Sequence, residues 1–309
     1  MENKIDLKRI LIYLAFAFGI AWVWALVLAL NGGLANSPVI IPFTNYTLAF
    51  FVLAFGYMFA PALANVFTRL ITKEGWGHLS LRPKFKSGWK YWLAAWFLPG
   101  ILTVIGGVIF FLVFPKYFDP QMKNYAAQVA AAYGNTPMPY PMMVLALIQF
   151  VQAMLLSPLL NGLFTFGEEF GWRGYLLPKL MPLGGRKSVL ISGVIWGVWH
   201  WPVIAMGHNY GLDYPGAPWL GMLMMVVVCI CLAALLSWTT LRAGSVWPAV
   251  IGHGAVNGIA AISYLFLATD VNPLLGPAPT GLIGGLGFLA VTIWILLSRK
   301  ALQPTPEGE

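Results

Sequence analysis

The chain has 309 residues, of which 59% are hydrophobic and only 9% charged, with a mean hydropathy of +0.77 and a formal net charge of +8. That balance excludes a soluble globular domain and a disordered chain, and it marks a polytopic integral membrane protein. No polar stretch is long enough for a separate soluble domain and no segment alternates like a barrel strand, so the expectation is a single all-α transmembrane domain over residues 1–309.

Eight stretches reach the roughly 20 mostly apolar residues that a spanning helix needs: about 10–30, 46–68, 91–114, 141–165, 188–206, 219–241, 246–268 and 279–298. The first follows a basic start, but at about 21 residues it exceeds the core of a signal peptide and is read as a span. Segment 115–140, with its Tyr, Pro and Met, reads as a loop on the outer surface. Lys and Arg concentrate on the cytoplasmic side of short loops. With eight spans and both termini cytoplasmic, 16 of the 18 Lys and Arg fall inside, and only Lys116 and Lys123 fall outside. Topology and attraction to anionic lipid account for the basic charge, and no nucleic-acid partner is expected.

Within the fourth stretch, an unbroken helix from Met142 to Glu168 would run ~39 Å, longer than a ~30 Å hydrocarbon core. Pro158, with Asn161 and Gly162, predicts a tilt or bend there. Glu168 and Glu169, followed by Arg173, are the only adjacent acids in otherwise apolar sequence. Ionisable groups in such surroundings persist where they pair or line a working cavity. Helix neighbours point about 100° apart, whereas Glu169 and Arg173 at i, i+4 share a face and pair, which leaves one glutamate for other work.

His200 lies ~18 Å into the fifth stretch and His253 ~11 Å into the seventh, both counted from the cytoplasmic start. Asn257 follows His253 by one turn on the same face. Glycines bracket all of these positions and let helices approach closely. Cys229 and Cys231, two apart in the sixth stretch, point away from each other and form neither a disulfide nor a metal pair. His78 and His208 read as ordinary surface residues of loops.

Three clusters, Glu168-Glu169-Phe-Gly-Trp-Arg173, Trp196-Gly-Val-Trp-His200 and His253-Gly-Ala-Val-Asn257, together resemble the motifs of the CPBP family of intramembrane proteases, which includes CAAX prenyl endopeptidases and Abi-type relatives. The resemblance covers roughly 160–260 in detail, with familial flanks at Gly174–Pro178 and Arg242–Pro248. Trp196 stands where the family often has Phe.

The resemblance implies endoproteolysis in which Glu168 activates water, His200 helps to hold it, and His253 and Asn257 stabilise the oxyanion. Glu169 and Arg173 would support the helix that carries Glu168, and Trp196 would pack as an aromatic. Two versions fit these residues. In one, Glu168, His200 and His253 bind zinc. In the other no metal takes part, which accounts better for Asn257, a poor zinc ligand but a good amide donor. Implied substrates are membrane proteins or lipidated peptides in the cell membrane, met at an active site toward the cytoplasm. The runner-up classes are a proton-coupled transporter, against which stands the lack of a second acidic or histidine motif in the first half, and a non-catalytic scaffold or bacteriocin-immunity member of the same fold.

Overall fold

The computed structural model describes residues 4–77, 79–133 and 140–304, which contain helices, turns and two isolated β-bridges but no strand. Among the described residues five helices are long and apolar enough to cross a membrane: α1 (Leu7–Leu30), α2 (Leu48–Thr72), α3 (Phe85–Val113), and two later ones over Trp219–Ala243 and Trp247–Phe266. Between them the chain forms α4 (Lys123–Tyr133) in the predicted surface loop, then α5 (Met142–Leu155) and α6, which starts at Ser157. The α5–α6 pair counts as one further span bent by 47°. The bend falls at the expected place, because Pro158 in the first turn of α6 has no N–H to continue the α5 ladder.

Helix length thus supports five spans, or six with the bent pair, rather than the eight expected from hydropathy. Two stretches account for the difference. The fifth breaks into α7 (Gly185–Trp199) and the short α8 (Trp201–Ala205), because Pro202 cannot donate and the backbone tightens to an i→i−3 bond at His200. The eighth yields only the twelve-residue helix α11 (Leu286–Leu297). The residues before it fold into turns around Pro277, Pro279 and the glycines, with Leu282 N–H bonded to Leu274 and Gly284 N–H to Gly276. The long helices between are α9 (Trp219–Ala243) and α10 (Trp247–Ile259), the latter prolonged by a 3₁₀ turn, Ile262–Phe266.

The basic segments collect at one end of this bundle. Arg9, before the first span, reaches Thr72 (3.2 Å) and Glu74 (3.5 Å) beyond the second. Lys179 also meets Glu74, at 2.5 Å. Arg242 bonds the Tyr91 hydroxyl (3.1 Å), Trp247 bonds the Leu81 carbonyl (2.7 Å), and Arg186 reaches the Leu297 carbonyl (3.3 Å). The opposite end is built from the other loops: Asp119 N–H bonds Phe266 O, Ala268 N–H bonds Tyr117 O, and Tyr210 Oη bonds Thr280 O (3.0 Å).

Glycines at helix crossings permit close approach. A Cβ on Gly167 would stand 2.5 Å from the Met58 carbonyl and 2.9 Å from Phe59 Cα. Both are backbone atoms that cannot swing aside, so Gly167→Val should separate α6 from α2 and cost about 1–3 kcal/mol, read as a lowered melting temperature in detergent. Glu74 offers a pH-dependent test. Burial pushes its carboxyl up, but hydrogen bonds from Lys179 and Tyr175 and the charges of Lys179 and Arg69 outweigh this and hold it below the usual glutamate range. The stabilisation is therefore present above the unfolded-state value and is lost as pH falls through the depressed folded value. Glu74→Gln should lower the melting temperature at neutral pH, and the gap from wild type should close in acid.

Candidate active site

Helix α6 (Ser157–Gly171) brings the paired glutamates into the centre of the bundle. It is anchored to α10 by Asn161 Nδ2 on the Gly254 carbonyl (3.1 Å) and Thr165 Oγ1 on the Val250 carbonyl (2.9 Å). It lies against α2 through Gly167 and Gly171. Glu168 and Glu169 are 3% and 0% exposed, so neither carboxylate can be solvated by bulk water and each needs partners within the protein.

They find different ones, as the helical angle between neighbours requires. Glu169 faces Arg173, whose Nη1 lies 3.0 Å from both of its carboxylate oxygens, and accepts a 2.9 Å bond from His253 Nδ1. Glu168 turns the other way and accepts from the Trp196 indole N–H at 2.7 Å. Trp196 is the hub of the cluster. Its ring face carries the Arg173 guanidinium 4.4 Å from the centroid, the His253 ring meets it edge-on at 5.2 Å, and its carbonyl lies 2.8 Å from His200 Nδ1. The cation–π contact is the environment given to the rest of Arg173, whose Nε and Nη2 have no hydrogen-bond partner among the described residues.

These bonds set the tautomers. His200 Nδ1 facing a carbonyl and His253 Nδ1 facing a carboxylate are both donors, so in the neutral rings both Nε2 atoms are acceptors. The His200 backbone conformation follows from the Pro202 break between α7 and α8, which ends the helix at that residue.

Glu168, Trp196, His200, His253 and Asn257 all line one cavity of about 360 Å³. Glu169 and Arg173 lie behind it. Asn257 is exposed and lines this space, and its amide has no hydrogen-bond partner among the described residues. The sequence reading missed further wall residues. Tyr57 lines the cavity and donates to the Trp199 carbonyl at 2.5 Å; it stands on α2, far from any motif, and no local pattern singles it out. His208 is a correction: the turn between Gly207 and Gly211, both at positive φ, folds it against the cavity rather than leaving it on the surface. His78 lies outside the described residues. Cys229 and Cys231 are free thiols as expected, but Cys229 lines the cavity, 3.8 Å from His200 Nδ1.

The wall of the cavity continues from Glu168 through Val256, Asn257 and Ala260 to Asn209 and the Pro279–Leu282 turn. Trp172, Tyr175 and Tyr13, each at most 1% exposed, fill the space on the basic side.

Among the described residues no three His, Cys, Asp or Glu side chains converge on a point that could hold a metal ion. Glu168, His200 and His253 share the cavity without meeting at a common point.

Residues 143–259, which include Glu168, Glu169, Arg173, Trp196, His200, His253 and Asn257, match the family model of the type II CAAX prenyl endopeptidase Rce1-like proteins. A stretch of 93 residues is 27% identical to CAAX prenyl protease 2 of Methanococcus maripaludis, covering 29% of this chain and 34% of that protein, so the match spans about a third of the relative's length. Residues 143–259, which supply Glu168, Trp196, His200, His253 and Asn257 of the cavity wall, are thus similar to the Rce1-like CAAX prenyl endopeptidases.

Proposed function

We propose that this chain is an intramembrane endopeptidase that hydrolyses a peptide bond of a membrane-associated protein or lipidated peptide, in the manner of CAAX processing. The observation that carries the reading is the convergence of Glu168, His200, His253 and Asn257 on one cavity within an Rce1-like segment.

The chemistry follows from the free valences of these groups. Trp196 occupies one oxygen of Glu168, which leaves the other to take a proton from water. His200 Nε2, an acceptor, can hold the second O–H of that water so that its lone pair faces the scissile carbonyl. As the C–O bond forms, the carbonyl oxygen gains negative charge and Asn257 Nδ2 supplies a donor to it. His253 Nε2 becomes a donor only when its ring is protonated. The Glu169 carboxylate accepts from its Nδ1 and fixes the ring, in the way a buried carboxylate orients a catalytic histidine. The proton held on Glu168 then goes to the leaving nitrogen as the C–N bond breaks, which returns the carboxylate. Every step is supplied by residues of the chain, and we propose that the reaction runs without a metal. The enzyme would sit in the cell membrane.

Glu168→Gln keeps the shape and removes the base, so it should lower turnover by about 10²–10⁴-fold with an unchanged melting temperature; near-normal hydrolysis of a reporter peptide by the variant would sink the assignment. Asn257→Ala should cost about 10²–10³ in kcat. Trp196→Phe retains the aromatic volume but not the N–H on Glu168, and a hydrogen bond to a charged group is worth about 1.5–3 kcal/mol, so its kcat should fall by at least about tenfold while its stability changes less. Protein shown by elemental analysis to be metal-free should keep its activity; recovery of activity only on adding zinc would overturn the metal-free step.

A further inference from the structure

We propose that Tyr57 is a positioning residue for His200: its hydroxyl takes up the Trp199 carbonyl released at the α7–α8 break and so holds the turn in which the imidazole Nδ1, and not the backbone N–H, occupies the Trp196 carbonyl. The part of His200 as holder of the water rests on the protease reading, whereas the hold of Tyr57 on the ring stands on the geometry alone.

The break reassigns two carbonyls. In a regular helix the His200 N–H would bond Trp196 O and the Val203 N–H would bond Trp199 O. Here the His200 N–H turns to Gly197 O (3.2 Å) and the Val203 N–H to His200 O (3.1 Å). Pro202 has no N–H to offer in their place. The Trp196 carbonyl is then free for His200 Nδ1 at 2.8 Å, a bond that selects the tautomer and leaves Nε2 as the acceptor of the ring. The Cys229 thiol, 3.8 Å from the same nitrogen, is too weak a partner to compete.

The Trp199 carbonyl is the other half of the exchange. Trp199 is fully buried, so a carbonyl left unpaired there would carry the full cost of its desolvation. Tyr57 donates to it at 2.5 Å and Trp22, on α1, at 3.2 Å. The Tyr57 and Trp199 rings lie with centroids 4.3 Å apart, and the Trp199 indole N–H is fixed on Ala17 O at 3.1 Å. Helix α2 is shaped for this contact: Val52–Tyr57 form a π turn, closed by the Met58 N–H on Leu53 O, which shifts the helical phase at Tyr57. Without the Tyr57 hydroxyl, the Val203 N–H is the donor that sequence places nearest to Trp199 O. Taking it back unwinds the turn, and the His200 N–H then competes with Nδ1 for Trp196 O.

Nitrogen NMR of the full-length protein, isotope-labelled at histidine, in detergent at neutral pH tests this without turnover. A fixed neutral tautomer gives two widely separated imidazole resonances, one from the protonated and one from the bare nitrogen, and exchange between tautomers draws them together. The His200 pair is the one lost in His200→Gln. Wild type should show it separated, and Tyr57→Phe should draw it together. Trp22→Phe, which removes the longer bond and leaves the Tyr57 packing intact, should do so to a smaller extent. Tyr13→Phe removes another buried hydroxyl, one with no partner among the described residues, and should leave the pair unchanged. Against a reporter peptide, kcat of Tyr57→Phe should fall by about tenfold or more with KM within about twofold, because a small displacement of a catalytic group is costly to the rate. A pair already averaged in wild type, a pair still separated in folded Tyr57→Phe, or an equal change in Tyr13→Phe overturns the proposal. A wild-type protein that shows the separated pair but hydrolyses no peptide removes the protease reading, while the spectra still decide the role of Tyr57, so the two fail separately.

Discussion

The buried contact between Glu169 and Arg173 is the constraint on which the centre of this molecule depends. Two carboxylates and one guanidinium are withdrawn from water side by side, and removing one member of such a pair typically costs about 3–5 kcal/mol because its partner is left unpaired. Arg173 cannot serve both glutamates, since they leave the helix in different directions. It takes Glu169 and lies on the face of Trp196, whose edge then offers its N–H to Glu168. A single indole thus separates the structural acid from the reactive one. Trp196 also spaces His200 and His253, one through its backbone carbonyl and the other through an edge contact with its ring. The cluster is therefore one network, in which Glu169 and Arg173 behind the cavity and Trp196 in its wall fix Glu168, His200 and His253.

The helices around the network deliver it by being imperfect. A straight α5–α6 helix would carry the glutamates past the hydrocarbon, and the 47° bend returns them to mid-bundle. A continuous fifth span would bury the His200 backbone in a regular ladder, whereas the Pro202 break ends α7 at the histidine. Proline sets both features, and both lie within the segment that resembles the Rce1-like family.

Much of this was legible in the sequence because it depends on local geometry. The i, i+4 spacing of Glu169 and Arg173, the opposite facing of Glu168, the shared face of His253 and Asn257 and the bend at Pro158 all follow from helix periodicity and proline chemistry. What was not legible depends on how distant helices turn against each other. Hydropathy counts apolar residues but cannot tell that 273–285 coils into glycine and proline turns instead of extending α11, which is why helix length alone supports fewer spans than hydropathy does. Nothing near Tyr57 marks it as a wall residue, and His208 looks like a surface loop until the glycine turn folds it inward.

Beyond Gly171 the helix widens into a π turn, Trp172–Leu176, before the α-helical phase resumes. One extra residue in a turn rotates everything after it by about 100° relative to an unbroken α-helix. It is this offset that sets Tyr175 and Lys179 on Glu74, at 2.9 and 2.5 Å, while Glu169 upstream of the turn and Arg173 near its start stay beside His253 and Trp196. The turn works as a phase adapter between two sets of contacts that an ideal helix could not satisfy together. The spacing between Arg173 and Lys179 is consequently as much a part of the site as the residues themselves. Insertion or loss of one residue there would leave every functional side chain in the sequence and still take the glutamate helix out of step with its anchor.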